Sequence, residues 1–346
     1  MKKKITIISI IVLMLLLIGA VFAWRYYQMI YQSNVPKQLS QEYLYIPEGA
    51  PFEQVLDSLM QKEMLIDTTG FRAIAERMNY IKPEMRAGRY KIEGGWSNYQ
   101  LIRHLRGGKQ ATVKVVLNNE RLPENVAAKV ARFIAADSIA IWALMQDKSY
   151  LSSIDYTPET LMSLFIPNTY DFYWNSSPTT FMERMIKEHE RFWDSKNRMK
   201  KAKSIGMTPN EVYTLASIIE RETLRGEEKT RMAGLYLNRL KEGMLLQADP
   251  TAVFGRRDFG AKRVTWYHTK FDSPYNTYMY AGLPPGPITM ASISSIDAVL
   301  NAEEHQYFYF CSKGDGSGYH NFAKSLAQHN QNRKIYVRNL KKRGKR

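Results

Sequence analysis

The feature that most restricts this chain is its first run of apolar residues. Lys2-Lys3-Lys4 precedes an uncharged stretch from Ile5 to Trp24, and about 20 such residues cross the hydrocarbon of a bilayer as one helix. Lysines on the short side favour a cytoplasmic N-terminus, and Trp24, Tyr26 and Tyr27, with Arg25 among them, suit the far interface. The competing reading is a cleavable signal peptide with Val21-Phe22-Ala23 as a loose small-residue site. The run is long for a signal core and Trp24 is bulky just past that site, which favours an uncleaved anchor. On either reading nearly everything after residue 25 is expected outside the cytoplasm.

That placement decides how the formal charge of +16 is read. Outside the membrane, positive charge meets anionic headgroups or acidic wall polymer rather than nucleic acid. The single cysteine, Cys311, excludes an intrachain disulfide and any cysteine-based metal site. Stability must come from core packing, for which a chain of 346 residues has room in roughly two domains.

After a polar stalk, Tyr43–Ile46 reads as a strand and Pro47-Glu-Gly49 as a turn. Pro51 can start a helix with Phe52, Val55, Leu56 and Leu59 on one face, and a second helix is expected around 71–78. Residues 86–92 look like a returning strand. Ser97 can cap a helix carrying Leu101, Ile102 and Leu105, stopped by Gly107-Gly108. This compact α+β module resembles the LysM-like domain of some cell-wall enzymes; a structural spacer and a glycan binder both fit it. A strand at 112–117 and an amphipathic helix carrying Val126, Val130 and Ile134 follow. Residues 149–198 are mostly helical, broken by the aromatic-rich stretch 165–174, which suits a core more than a sugar platform.

The stretch from Thr208 to Thr223 has the strongest helix signals. Thr208 can cap, Pro209 suits the first helical position and Glu211 completes a capping box. Val212, Leu215, Ala216 and Ile219 form one apolar stripe. Glu220 falls beside Ala216 on the shoulder of that stripe, where partial desolvation would raise its pKa and make it a proton donor. A solvated glutamate in a Glu-Arg-Glu run is the plain alternative. Glu222, on the other edge, is expected to be structural.

Beyond this helix, a second amphipathic helix ends at Gly243. Loops rich in Gly, Pro and polar residues then follow at 247–250, 273–278, 282–288 and 316–322, the kind of rigid loop on which sites are built. No His-Glu-x-x-His helix, Walker A loop, dinucleotide fingerprint or Gly-x-Ser-x-Gly elbow is present. Acid–base chemistry by a carboxyl group among neutral hydrogen-bonding side chains remains, and it suits a carbohydrate.

Leu215-Ala-Ser-Ile-Ile-Glu-Arg-Glu-Thr223, Leu237-Asn-Arg-Leu240, Gly243-Met-Leu-Leu-Gln-Ala-Asp-Pro-Thr251, Tyr275-Asn-Thr-Tyr278, Gly282-Leu-Pro-Pro-Gly-Pro-Ile288 and the segment holding His320 and His329-Asn330 closely resemble, in this order, the YceG-like (MltG) endolytic murein transglycosylases. The resemblance runs from the membrane anchor to about residue 333. It implies cleavage of the β-1,4 bond between N-acetylmuramic acid and N-acetylglucosamine in peptidoglycan, leaving 1,6-anhydro-muramic ends. The muramic C6 hydroxyl is then the nucleophile, so one carboxyl group suffices where ordinary glycosidases use two. The resemblance places that carboxyl at Glu220, with a pKa raised to roughly 6. It places Asn238, Gln247, Tyr275, Asn276, Tyr278 and His320 around the sugar, and Asp249 as either an orienting group or a helix cap. No metal or cofactor is implied. The expected partners are peptidoglycan strands, the cytoplasmic membrane and peptidoglycan synthases; a non-catalytic peptidoglycan-binding scaffold of the same fold is the alternative.

Two departures from the family pattern stand out. Met162-Ser163 and Asn168 replace a Glu-Gly and the Asp of a Pro-Asp-Thr-Tyr motif, and Met290-Ala-Ser292 replaces Asn-Pro-Gly; neither is expected to touch Glu220. The expected fold class is α+β. The expected division is a cytoplasmic N-terminus at 1–4, a transmembrane helix at 5–24 and a stalk at 25–41. A LysM-like module at 42–110, a linking region at 111–203, a YceG-like catalytic domain at 204–340 and a basic tail at 341–346 complete it.

Overall fold

The computed structural model describes residues 2–344; Met1 and the last two residues of the expected basic tail lie outside the described residues. It mixes helix and sheet, and its strands, among the described residues, pair into three two-stranded sheets. The chain divides into two compact units. The first holds residues 1–113 and 171–176, and the second holds 114–170 and 177–346.

In the first unit α1 (Lys2–Tyr31) has no buried residue within its apolar window and is long enough to cross a membrane. It does not stop at Trp24. Met29 and Ile30 pack against this unit's core, and Asn98 Nδ2 donates to the Met29 carbonyl at 2.9 Å. Asn34 and Val35 are buried as well. Met29, Ile30, Asn34 and Val35 thus pack into this unit within the span expected as a stalk, because its apolar core offers them a surface to cover.

Strand β1 (Tyr43–Ile46) pairs antiparallel with β2 (Gly88–Lys91), Tyr43 opposite Lys91. Between them lie α2 (Phe52–Gln61) and α3 (Thr68–Arg77), and after them α4 (Asn98–Gly107). The stripe expected on α2, Phe52, Val55, Leu56 and Leu59, is buried. Ser97 and Gln100 form a full capping box on α4, and Gly108 closes it in the left-handed region at φ 66°. These local rules are legible because they involve residues three or four apart.

The chain enters the second unit along β3 (Thr112–Leu117), whose partner is β4 (Asn168–Tyr173). Helices α5 (Pro123–Val130), α6 (Ser138–Gln146) and α7 (Lys148–Ser153) come between these strands; α8 (Pro178–Asp194) and α9 (Arg198–Ser204) follow. Phe165 and Tyr170 are buried, so that part of the aromatic stretch is core. Helices α10 (Pro209–Glu222), α11 (Lys229–Lys241) and α14 (Ile293–Leu300) form the centre, around Tyr213, Leu215, Ile218, Tyr236 and Ile296. Helices α12 (Asp249–Arg256) and α13 (Trp266–Thr269) precede α14. The hairpin β5 (Tyr309–Ser312) and β6 (His320–Ala323) and helix α15 (Leu326–Lys342) complete the unit. Lys341 and Lys342 are helical, so α15 extends into the expected tail.

Candidate active site

Helix α10 starts as its sequence predicts. Thr208 Oγ1 accepts from the Glu211 N–H at 3.3 Å, Glu211 Oε2 accepts from the Thr208 N–H at 2.7 Å, and Pro209 occupies the first turn. Residues 212–219 are all buried, which clamps the helix from several sides and leaves its last turn to present two carboxyl groups. Glu220 and Glu222 are two positions apart, about 200° around the axis, and so leave the helix on opposite edges.

Glu220 is held by fixed donors. Its Oε2 accepts from Ser292 Oγ at 2.5 Å, Ser295 Oγ at 2.6 Å and Lys229 Nζ at 3.1 Å, with the Ser292 N–H at 3.4 Å. Lys229 is itself 10% exposed and also donates to Ser292 and Ser294. Burial by itself would raise the Glu220 pKa. The hydroxyls of Ser292 and Ser295 and the Lys229 ammonium outweigh it and hold the carboxyl below its ordinary value. The raised pKa expected for Glu220 is therefore not met. The departure at 290–292 also proves relevant, since Ser292 contacts this carboxylate directly.

Glu222 is in the opposite state. Its one hydrogen-bond donor among the described residues is the buried Tyr236 hydroxyl, at 3.0 Å from Oε1. Burial, with the negative charge of Asp249 added, pushes its pKa up to about 8, and the Tyr236 bond offsets this only in part. That value lies on the protonated side of neutral pH, a state that the pattern reading of Glu222 as structural did not anticipate. Glu222 lines a polar cleft of 450 Å³ together with Arg239, Gln247, Asp249, Tyr278 and His320, within the size range of ordinary ligand sites.

Three residues expected around a sugar, Gln247, Tyr278 and His320, meet in this cleft with Asp249. Gln247 holds a left-handed backbone at φ 51°, with its N–H on the Thr277 carbonyl at 3.0 Å; a non-glycine residue in this region is strained, as is common beside functional sites. Asp249 Oδ1 accepts from the Tyr278 hydroxyl at 2.5 Å. Ala248 takes the cap position of α12, so Asp249 is not the cap. His320, on β6, packs edge-on against Phe310, and its Nδ1 lies 2.8 Å from Oε2 of the buried Glu228. Glu228 also accepts from the His320 N–H at 2.9 Å.

Three expected residues lie elsewhere. Asn238 donates to the carbonyls of His305 and Tyr307 at 2.8 and 3.1 Å. Asn276 is fully buried; its Nδ2 donates to Thr269 and Phe271 and its Oδ1 accepts from the Tyr278 N–H. Both amides hold loops, and neither has a free donor for substrate. Tyr275 faces a different recess and packs against Phe254 at 4.7 Å. Arg239 is a lining residue that pattern reading missed. It is buried and donates to the carbonyls of Leu245, Leu246 and Phe308, so it ties the floor of the cleft together; its place in Leu237-Asn-Arg-Leu240 was the available signal.

Fold and site together define a mixed helix-and-sheet protein with a carboxyl of raised pKa in a polar cleft. The YceG-like family model matches residues 44–335, and the chain belongs to that family. It is 27% identical over 316 residues to an endolytic murein transglycosylase of Bacillus subtilis (strain 168), covering 84% of each chain. It is 26% identical to one of Streptococcus pneumoniae (strain ATCC BAA-255 / R6), covering 95% of this chain but 64% of that longer relative. The crystal structure of a YceG-like protein from Listeria monocytogenes superposes with a TM-score of 0.56 at 25% identity, over 84% of this chain and 97% of that one.

Proposed function

We propose that this protein is an endolytic lytic transglycosylase of peptidoglycan and that Glu222 is its proton donor. The observation that carries the reading is the Glu222 carboxyl lining a polar cleft, bonded by the Tyr236 hydroxyl, where burial and the Asp249 charge push its pKa up to about 8. Glu222 gives its proton to the glycosidic oxygen as the bond from muramic C1 to that oxygen breaks. The muramic C6 oxygen then bonds to C1, and its proton passes to the Glu222 carboxylate. The products are a 1,6-anhydro-muramic end and a free N-acetylglucosamine hydroxyl, with no water consumed and the acid regenerated. Gln247, Tyr278 and His320 supply hydrogen bonds to the sugar, and Asp249 keeps Glu222 protonated through its charge. Glu220, which motif matching favours, would fix the helix end by its bonds to Lys229 and the serines.

The supports are the family membership, the names of the relatives and the cleft chemistry. In the same reading α1 anchors the protein in the cytoplasmic membrane with its N-terminus inside. The remainder is extracytoplasmic, a LysM-like module spaces the catalytic unit, and nascent strands are cut beside the synthases that make them. Muropeptide mass spectrometry tests the chemistry. Wild type should release anhydro ends from purified strands, and folded Glu222→Gln should release none. Loss of anhydro ends in Glu220→Gln, with Glu222→Gln still active, would reverse the assignment. The second carboxylate, Asp249, favours one other reading, a water-using muramidase; its products would be heavier by one water. Binding without any change in product mass would indicate a scaffold.

A further inference from the structure

The cleft at Glu222 is the first of three concavities set along α12 in the second unit. Asp249, the first residue of that helix, lines both the cleft and a small recess of 160 Å³ bounded by Arg121, Arg221 and Phe254. Arg121 and Phe254 in turn line a third recess of 530 Å³. Helix α12 has eight residues, about 12 Å at the α-helical rise, which is the scale of a disaccharide repeat. Gly255 near its end and Arg257 just beyond it belong to the third recess.

The third recess has the chemistry of a sugar site. Trp142 and Gln146 lie four residues apart on α6, and so on one face of that helix; both line the recess, as do Tyr275, Glu159 and Pro287. Trp142 is partly exposed and Tyr275 half-buried. Neither the Trp142 indole N–H nor the Tyr275 hydroxyl has a hydrogen-bond partner among the described residues. Aromatic faces with polar tips left unpaired, in a concave pocket rimmed by an amide and a carboxylate, suit a ring that is apolar on its faces and hydroxylated at its edge. The carbonyl of Glu159 packs so closely on Gly286 that a Cβ there would approach it to 1.9 Å, which fixes the wall formed by the loop 282–288.

We propose that this recess is a remote subsite for one sugar of a glycan strand. The strand's scissile bond lies at Glu222, and the strand follows α12 past Arg121 and Arg221. This rests on reading the cleft as glycan-cleaving, and it adds a reason for long strands to be preferred. The test uses the full-length protein in detergent with uncrosslinked strands of short and long defined length, and reads the ratio of kcat/KM for long over short. Wild type should favour long strands. Trp142→Ala should lower that ratio about tenfold, and Tyr275→Phe, which removes only the free hydroxyl, by about threefold to fivefold. An unchanged ratio in both variants overturns the subsite. Strands stripped of stem peptides must show the same Trp142 dependence; its disappearance would mean that the recess holds peptide, and the sugar assignment falls. If wild type cleaves nothing, the functional reading fails and the subsite is judged by calorimetric titration of long strands into Glu222→Gln. Binding weakened about tenfold by adding Trp142→Ala supports the subsite, and undiminished binding overturns it.

Discussion

Glu220 and Glu222 share a helix turn yet titrate in opposite directions, and the cause is the set of groups that reaches each. Glu220 gains an ammonium and two hydroxyls, so its folded-state pKa is depressed. The resulting stabilisation is present above the unfolded pKa near 4.5 and is lost as pH falls through the folded value. Glu220→Gln leaves Lys229 buried without its countercharge and should cost about 3 kcal/mol at neutral pH; thermal melts should show that gap closing in acid. For Glu222 the sign reverses. Its folded pKa is raised to about 8, so above the unfolded pKa the unfolded chain ionises while the folded carboxyl keeps its proton, and stability is lost progressively up to the folded value. Glu222→Gln should therefore gain stability relative to wild type as pH rises from 4.5 to 8. Transglycosylase kcat/KM should fall above pH 8, as the donor loses its proton; a flat alkaline limb would count against Glu222 as the acid.

At the scale of elements, much was legible and the exceptions have identifiable causes. Thr208, Pro209 and Glu211, and Ser97 with Gln100, announce their helices because a cap depends on neighbours within one turn. The continuation of α1 to Tyr31 was not legible, since it depends on an apolar core built from residues far along the chain. Gly234 is a further case of tertiary context overriding propensity. It lies inside α11, where alanine is the better helix former, but an added Cβ would come within 2.1 Å of the Glu303 carbonyl oxygen. Gly234→Ala should thus destabilise by about 1–3 kcal/mol, read as a lower melting temperature and not the gain that helix propensity predicts.

At the scale of the molecule, the apolar helix and the first unit are continuous. Removing residues 1–24 leaves Met29 and Ile30 on that unit's core. Removing residues 1–32 strips both, together with the Asn98 bond to the Met29 carbonyl. The shorter truncation should melt close to the full chain and the longer one distinctly lower, by about 2 kcal/mol of lost apolar burial; calorimetry on the two truncations compares them directly. By itself the sequence determined the membrane-length helix, the main capped helices, the buried stripes and the family, because each depends on composition or on residues within a few positions. Only the tertiary structure decided which edge of α10 faces the cleft. The groups that hold Glu220 ionised include Ser292 and Ser295, 72 and 75 residues away. Burial and the charge of Asp249, from another helix, raise the Glu222 pKa against the opposing bond from Tyr236. A pKa is a property of what surrounds a group, and the fold brings those surroundings together.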